Sequence, residues 1–235
     1  MYQDPIDQLT LGQSRTSTQA AFMTKVYAWM TIALVITAFT AMFTAATPAL
    51  TEFIFSNKLV FYGIFIGELL LVGSLVVAAQ RMSPMVASLV FFGYAALNGL
   101  TLASIFFLFT AGSIALTFFI TAGTFGVMSI YGYTTKADLT RIGNLAMMAL
   151  VGIILASIVN FFMQSETLYW IISYLGVAIF VGLVAYDTQK IKDMSASMDV
   201  TSADGKRASV IGALTLYLDF INLFLFLLRL FGRRD

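Results

Sequence analysis

The chain has 235 residues, of which 60% are apolar and only 11% charged, with a formal net charge of +1. An ordinary globular chain is about a quarter charged, so this composition excludes a water-soluble domain, and the balanced charge excludes a basic surface for nucleic acid. Cys and His are both absent, which removes disulfides, thiolate nucleophiles, imidazole bases and Cys- or His-ligated metals, and leaves carboxylates, lysines, arginines and tyrosines for any chemistry.

Residues 1–20 are polar and include acids. They read as a short cytoplasmic tail rather than a signal peptide, which needs a basic start and an apolar core. Residues 21–235 read as one transmembrane domain. Apolar runs long enough for a bilayer core of about 30 Å follow at 24–46, 59–79, 86–109, 114–133, 143–163, 168–194 and 208–231. The breaks coincide with turn or charge signals at Thr47-Pro48, Arg81 to Pro84, Ala111-Gly112, Lys136 to Arg141 and Gln164 to Glu166, and the longest is 195–207. Backbone groups in lipid must bond internally, and no alternating ten-residue pattern suggests a barrel, so the expectation is an all-α membrane protein of six or seven spans. Gly63, Gly67, Gly123, Gly126, Gly152, Gly176 and Gly182 are expected to be packing glycines where helices approach closely.

With the N-terminus cytoplasmic, the inner segments hold Arg15, Lys25, Arg81, Lys136, Arg141, Lys190, Lys192, Lys206 and Arg207, against Lys58 in the outer loops. The positive-inside rule favours that orientation. Arg233 and Arg234 break the pattern if the last segment crosses fully. Either the rule is overridden there or the segment is re-entrant.

Glu68, Asp187, Asp219 and Arg229 lie within the spans. A charge in the hydrocarbon costs at least about 2.5–3.5 kcal/mol, so each is expected to face the bundle interior with a partner. In the last segment Thr215, Asp219, Asn222 and Arg229 fall within an arc of about 80°, a polar stripe on an otherwise apolar helix. Asp187 shares a stripe with Ser173 and Gly176 on the sixth span, the antiparallel neighbour of the seventh. Asp187 and Asp219 can therefore meet. Two carboxylates at close range cannot both ionise cheaply, so a meeting pair shares a proton and works as a pH switch, closed when protonated and offering hard oxygen ligands to Ca²⁺ when not. The competing reading pairs Asp219 with Arg229 or Arg81 as a structural ion pair. Glu68 is equally compatible with a partnership with Arg229 and with a place on an ion path.

GLTLASIF at 99–106, TAGTFGVMSIYGYTTKADL at 121–139 and FVGLVAYDTQKI at 180–191 resemble the Bax inhibitor-1 (transmembrane Bax inhibitor motif) family, most closely its bacterial inner-membrane members. The resemblance runs from about residue 20 to the C-terminus. It implies seven helices, with three helical hairpins around a central seventh, and a pH-sensitive calcium leak governed by an aspartate pair on helices six and seven. Asp187 and Asp219 match that pair. Arg229 matches an arginine that pairs with an acid on helix two, here Glu68, and Arg81 is the candidate for a second arginine that latches the aspartates.

The leading expectation is thus a calcium-leak channel or transporter of the inner membrane, with Ca²⁺ and H⁺ as its ions and no cofactor. The alternative is an interaction protein that modulates a membrane protease or a stress-response partner through residues 1–20, with no transport of its own. An enzyme is not expected. An intramembrane serine protease needs Gly-x-Ser-Gly with His, and a retinal protein needs a mid-span Lys; neither is present.

Overall fold

The computed structural model describes residues 5–78, 81–196 and 198–233, with the backbone alone for 5–16. All regular structure among them is helical: α1 (Pro5–Ala46), α2 (Pro48–Phe55), α3 (Lys58–Ala78), α4 (Pro84–Leu102), α5 (Ile105–Leu108), α6 (Ala111–Thr134), α7 (Thr140–Met163), α8 (Glu166–Ser195) and α9 (Ala203–Phe231). Among the described residues, seven spans are long and apolar enough to cross a bilayer, α4 and α5 together forming the third. Of the polar stretch expected as a tail, residues 5–20 are backbone continuous with α1; residues 1–4 lie outside the described residues.

The helix boundaries follow from local chemistry. Pro48 and Pro84 open α2 and α4, where a missing N–H costs nothing. Ser83, Thr110, Ser165 and Ser202 cap α4, α6, α8 and α9, each accepting a backbone N–H three residues on. Gln164 ends α7 in the left-handed region at φ 52°. The third span, expected unbroken over 86–109, turns at Ala103-Ser104. Thr101 Oγ1 donates to Asn98 O and Ser104 Oγ to Thr101 O, and the backbone shifts to i−3 bonds at Ser104 and Phe106. Such back-bonding hydroxyls bend a helix without proline or glycine.

Helix α9 is the axis. Two-thirds of its most apolar stretch (67%) is buried, against 11% in α3 and in α7. Helices α1, α4, α6 and α8 pack directly on it, while α3 leans on α4 and α7 on α8. The expected hairpins hold as connections, but only α7–α8 packs as a pair. Helix α4 nests against α1 and α3, and α4 and α6 both rest on α9. Successive crossings define two faces: a first face with the 135–139 and 196–202 connections, and a second face with the 109–110 and 164–165 turns. At the end of α9, Thr110 N donates to Arg233 O and Arg233 N to Ser113 Oγ. The seventh span therefore crosses fully to the second face, and the re-entrant alternative is set aside.

Most of the expected packing glycines do not pack. A Cβ at Gly63, Gly123, Gly126 or Gly152 would meet nothing within 4 Å, and at Gly67 or Gly182 only ordinary side-chain contact. Gly63, Gly123 and Gly152 are exposed on outward faces. Gly176 alone of that set is pressed, against the Phe226 ring. One helix comes closest to the backbone of another at Gly99, where a Cβ would stand 2.6 Å from Thr37 O, and at Gly132, where it would strike the carbonyl of Ala185. Spacing within one helix does not reveal which face meets a partner. Gly132→Ala is expected to push α6 off α8 and destabilise the protein by about 1–3 kcal/mol, read as a lowered thermal transition in detergent. Gly152→Ala is expected to leave the transition unchanged or slightly raised; equal losses in the two variants would contradict this packing.

Candidate functional site

The seventh span places two polar side chains on nearly opposite sides, since residues two apart on a helix point about 200° from each other. Asp219 faces α8, and Tyr217 faces α1 and α4. Each is the centre of a buried cluster.

On the α8 side, Asp219 (5% exposed) and Asp187 (9% exposed) are buried against each other, close enough for one carboxyl to hydrogen-bond the other when a proton lies between them. The second oxygen of Asp219, Oδ2, is buried and has no hydrogen-bond partner. The cation close enough to act on Asp187 is Lys190, itself exposed with its ammonium 5.6 Å from the Tyr186 ring. The neighbours of Asp187 fix its place. Thr188 meets Ser129 Oγ at 3.3 Å. Gln189 grips the 135–139 loop with both ends of its amide, accepting from Leu139 N at 3.0 Å and donating to Ala137 O at 2.8 Å. Lys192 donates to Tyr133 O at 3.0 Å. Gly143 admits the Tyr186 ring, and Gly132 lets α6 reach the α8 backbone. Tyr186, Thr188, Gln189 and Lys192 are thus a clamp: they lock α8 to α6, to α7 and to the loop between them, so that Asp187 is held toward α9. In the loop it grips, Asp138 accepts from Thr140, and that hydrogen bond holds its carboxyl below the usual range.

On the other side, the Tyr217 hydroxyl lies 2.7 Å from Thr37 Oγ1 and donates to Asn98 Oδ1 at 3.1 Å. Thr37 also reaches Ala95 O at 2.9 Å. Asn98 and Thr101 both hydrogen-bond to Glu68, Thr101 at 2.9 Å. The rings of Phe91 and Tyr94 pack edge-on against Tyr217. Glu68 is 8% exposed. Its partners are a hydroxyl and an amide, not a cation.

Both expected arginine contacts are absent among the described residues. Arg229 does not pair with Glu68; it lies exposed at the second face, its guanidinium 5.9 Å from the Tyr169 ring and 5.3 Å from that of Phe226. The reason is position: Arg229 sits in the last turn of α9, and α3 does not pack on α9. Arg81 is exposed in the turn between α3 and α4 and does not reach either aspartate. It is Arg207 that ties this turn to α9, donating to Met82 O at 3.1 Å and pairing with Asp204. Thr215 and Asn222, the other members of the expected stripe, bond to carbonyls of their own helix.

Reasoning from the sequence missed Tyr217, Asn98, Thr37 and Ser129. A signal was present for two of them: a tyrosine and an asparagine in mid-span stand away from the interfacial positions where polar aromatics normally sit, and a polar group there needs a partner. Tyr217→Phe is expected to cost about 1–2 kcal/mol, because Asn98 and Thr37 lose a shared hydroxyl in a dry interior. Thermal unfolding of the purified protein checks this, and an unchanged transition would contradict the network.

A family model described as inhibitor of apoptosis-promoting Bax1 matches residues 19–235. The inner membrane protein YbhL of Escherichia coli K12 is 52% identical over 226 residues, covering 96% of each chain. A protein of Borreliella burgdorferi is 46% identical over 213 residues, 91% of this chain and 92% of its own. A membrane protein of Streptococcus pyogenes is 36% identical over 216 residues, 91% and 93% of the two chains.

Proposed function

The chain belongs to the Bax inhibitor-1 family, and on that footing we propose that it is a pH-sensitive cation leak of the inner membrane, passing Ca²⁺ under control of the Asp187–Asp219 pair. The observation that carries this reading is the meeting of two buried carboxyl groups in the bundle interior, within hydrogen-bonding reach of each other and, among the described residues, with no arginine beside them. A hydrogen bond there needs one proton between the two groups. When the proton leaves, two like charges face each other in a poorly solvated space and repel, which favours separation of α8 from α9. Separation admits water and exposes carboxylate oxygens, which are the ligands that Ca²⁺ prefers. Two carboxylates fall short of the six to eight oxygens of a tight Ca²⁺ site, so water completes the shell and the ion passes rather than stays.

Direction follows from charge. The first face carries Lys25, Arg81, Lys136, Arg141, Lys190, Lys192, Lys206 and Arg207, and the second Lys58, Arg229 and Arg233. The positive-inside rule makes the first face, and so the N-terminus, cytoplasmic. Asp187 lies two turns from the first-face end of α8, so the proton that sets the switch comes from the cytoplasm.

In vesicles holding the purified protein, Ca²⁺ flux is expected to rise as pH rises, by up to about ten-fold per pH unit on the flank of a one-proton transition. Asp219→Asn is expected to abolish that dependence, because an amide keeps its hydrogens at every pH. A double Asp187→Asn, Asp219→Asn variant that still leaks and gates like the parent would overturn the switch.

A further inference from the structure

Arg229, left without the expected acidic partner on α3, lines a different feature. At the second face, the end of α7, the start of α8 and the end of α9 border an open pocket of about 470 Å³ whose polar walls include Asn160, Ser165, Glu166, Tyr169 and Arg229, with Trp170 at its edge. Two properties define what fits it. The first is charge. Arg229 and Glu166 line the same pocket yet form no ion pair with each other, so a cation and an anion stand on separate walls. The Arg229 guanidinium is steadied near the Tyr169 and Phe226 rings, an arrangement that holds a donor fork toward a phosphate. The N-terminus of α8 adds its partial positive charge on the same side as Ser165.

The second property is depth. Trp170 and Tyr174 stand 38% and 63% exposed on α8, and Phe161, Phe162 and Met163 stand 76%, 78% and 64% exposed in the last turn of α7. Tyrosine and tryptophan at a span end mark the level of the lipid headgroups. The apolar residues beside them offer a surface for acyl chains.

We propose that this pocket binds a phospholipid headgroup carrying both a phosphate and a primary amine, of the phosphoethanolamine type. Arg229 takes the phosphate and Glu166 the ammonium, while the chains run down the exposed wall of α7. The site is independent of the aspartate pair, which lies toward the other face.

The test is native mass spectrometry of the full chain in detergent, titrated with phosphatidylethanolamine, phosphatidylcholine and phosphatidylglycerol of matched chains. The parent is expected to retain phosphatidylethanolamine best. R229Q is expected to weaken it about ten-fold or more, the worth of a charge-assisted hydrogen bond. E166Q, at an exposed position, is expected to erase the preference over phosphatidylglycerol while leaving phosphatidylglycerol bound. Soluble phosphoethanolamine at the same concentration is expected not to compete, because it lacks the chains. Equal retention of all three lipids by the parent, or unchanged binding by both variants, would overturn the proposal. Competition by soluble phosphoethanolamine on equal terms would assign the pocket to a soluble ligand and overturn the lipid reading.

Discussion

A polar group inside a bilayer has no water to turn to, and this constraint organises the whole bundle. Helix α9 carries Asp219 and Tyr217 at mid-span, so it cannot face lipid and must be surrounded. Helices α1, α4, α6 and α8 do the surrounding, and each that meets a polar group of α9 brings a polar group of its own: Asp187 from α8, Thr37 from α1, Asn98 from α4. The peripheral helices α3 and α7, with only 11% of their most apolar stretch buried, are free to be apolar on nearly every side. Glu68 is the exception on α3, and it is turned inward onto Thr101 and Asn98.

One helix thus joins two clusters of different character. The Tyr217 cluster is a network of neutral donors and acceptors around a single carboxyl group, closed by edge-on aromatic packing. Fully satisfied networks of this kind fix a helix in place. The Asp219 cluster is the opposite. It leaves Oδ2 unsatisfied, and its stability depends on a proton. On the proposed reading, the first cluster anchors α9 to α1 and α4, while the second lets α8 part from it. The clamp of Thr188, Gln189 and Lys192 then makes α8 carry α6 and the 135–139 loop along as a unit.

The spans were legible in the sequence because hydropathy is a sum over twenty residues and tolerates local error. The aspartate pairing was legible because two acids on adjacent antiparallel spans have few places to go in hydrocarbon. Other features depend on which face of a helix meets which neighbour, and a single sequence does not carry that information directly. Gly63 and Gly67 have the spacing of a packing motif, yet Gly63 meets nothing and Gly67 only the tip of a leucine side chain, whereas Gly132, with no such partner glycine, touches the α8 backbone. Arg229 lies on the same arc as Asp219 but some ten residues on, about 15 Å along the axis, which takes it out of the interior and into the headgroup region. The Ala103-Ser104 turn was invisible to hydropathy because its cause is two hydroxyls rather than proline or glycine. The motif Gly-Leu-Thr-Leu-Ala-Ser, singled out by resemblance alone, acquires a physical meaning there: Gly99 admits α1, Thr101 holds Glu68, and Ser104 makes the bend.

The proposed switch requires that Asp187 and Asp219 share one proton. Infrared difference spectra of the lipid-reconstituted protein, recorded across a pH titration, test it most directly through the carbonyl stretch of a protonated carboxyl group. The parent is expected to show one titrating carboxyl band that disappears in both Asp187→Asn and Asp219→Asn, because each half of the pair needs the other. A band that persists unchanged in either single variant would mean that the two groups titrate independently, and would contradict it.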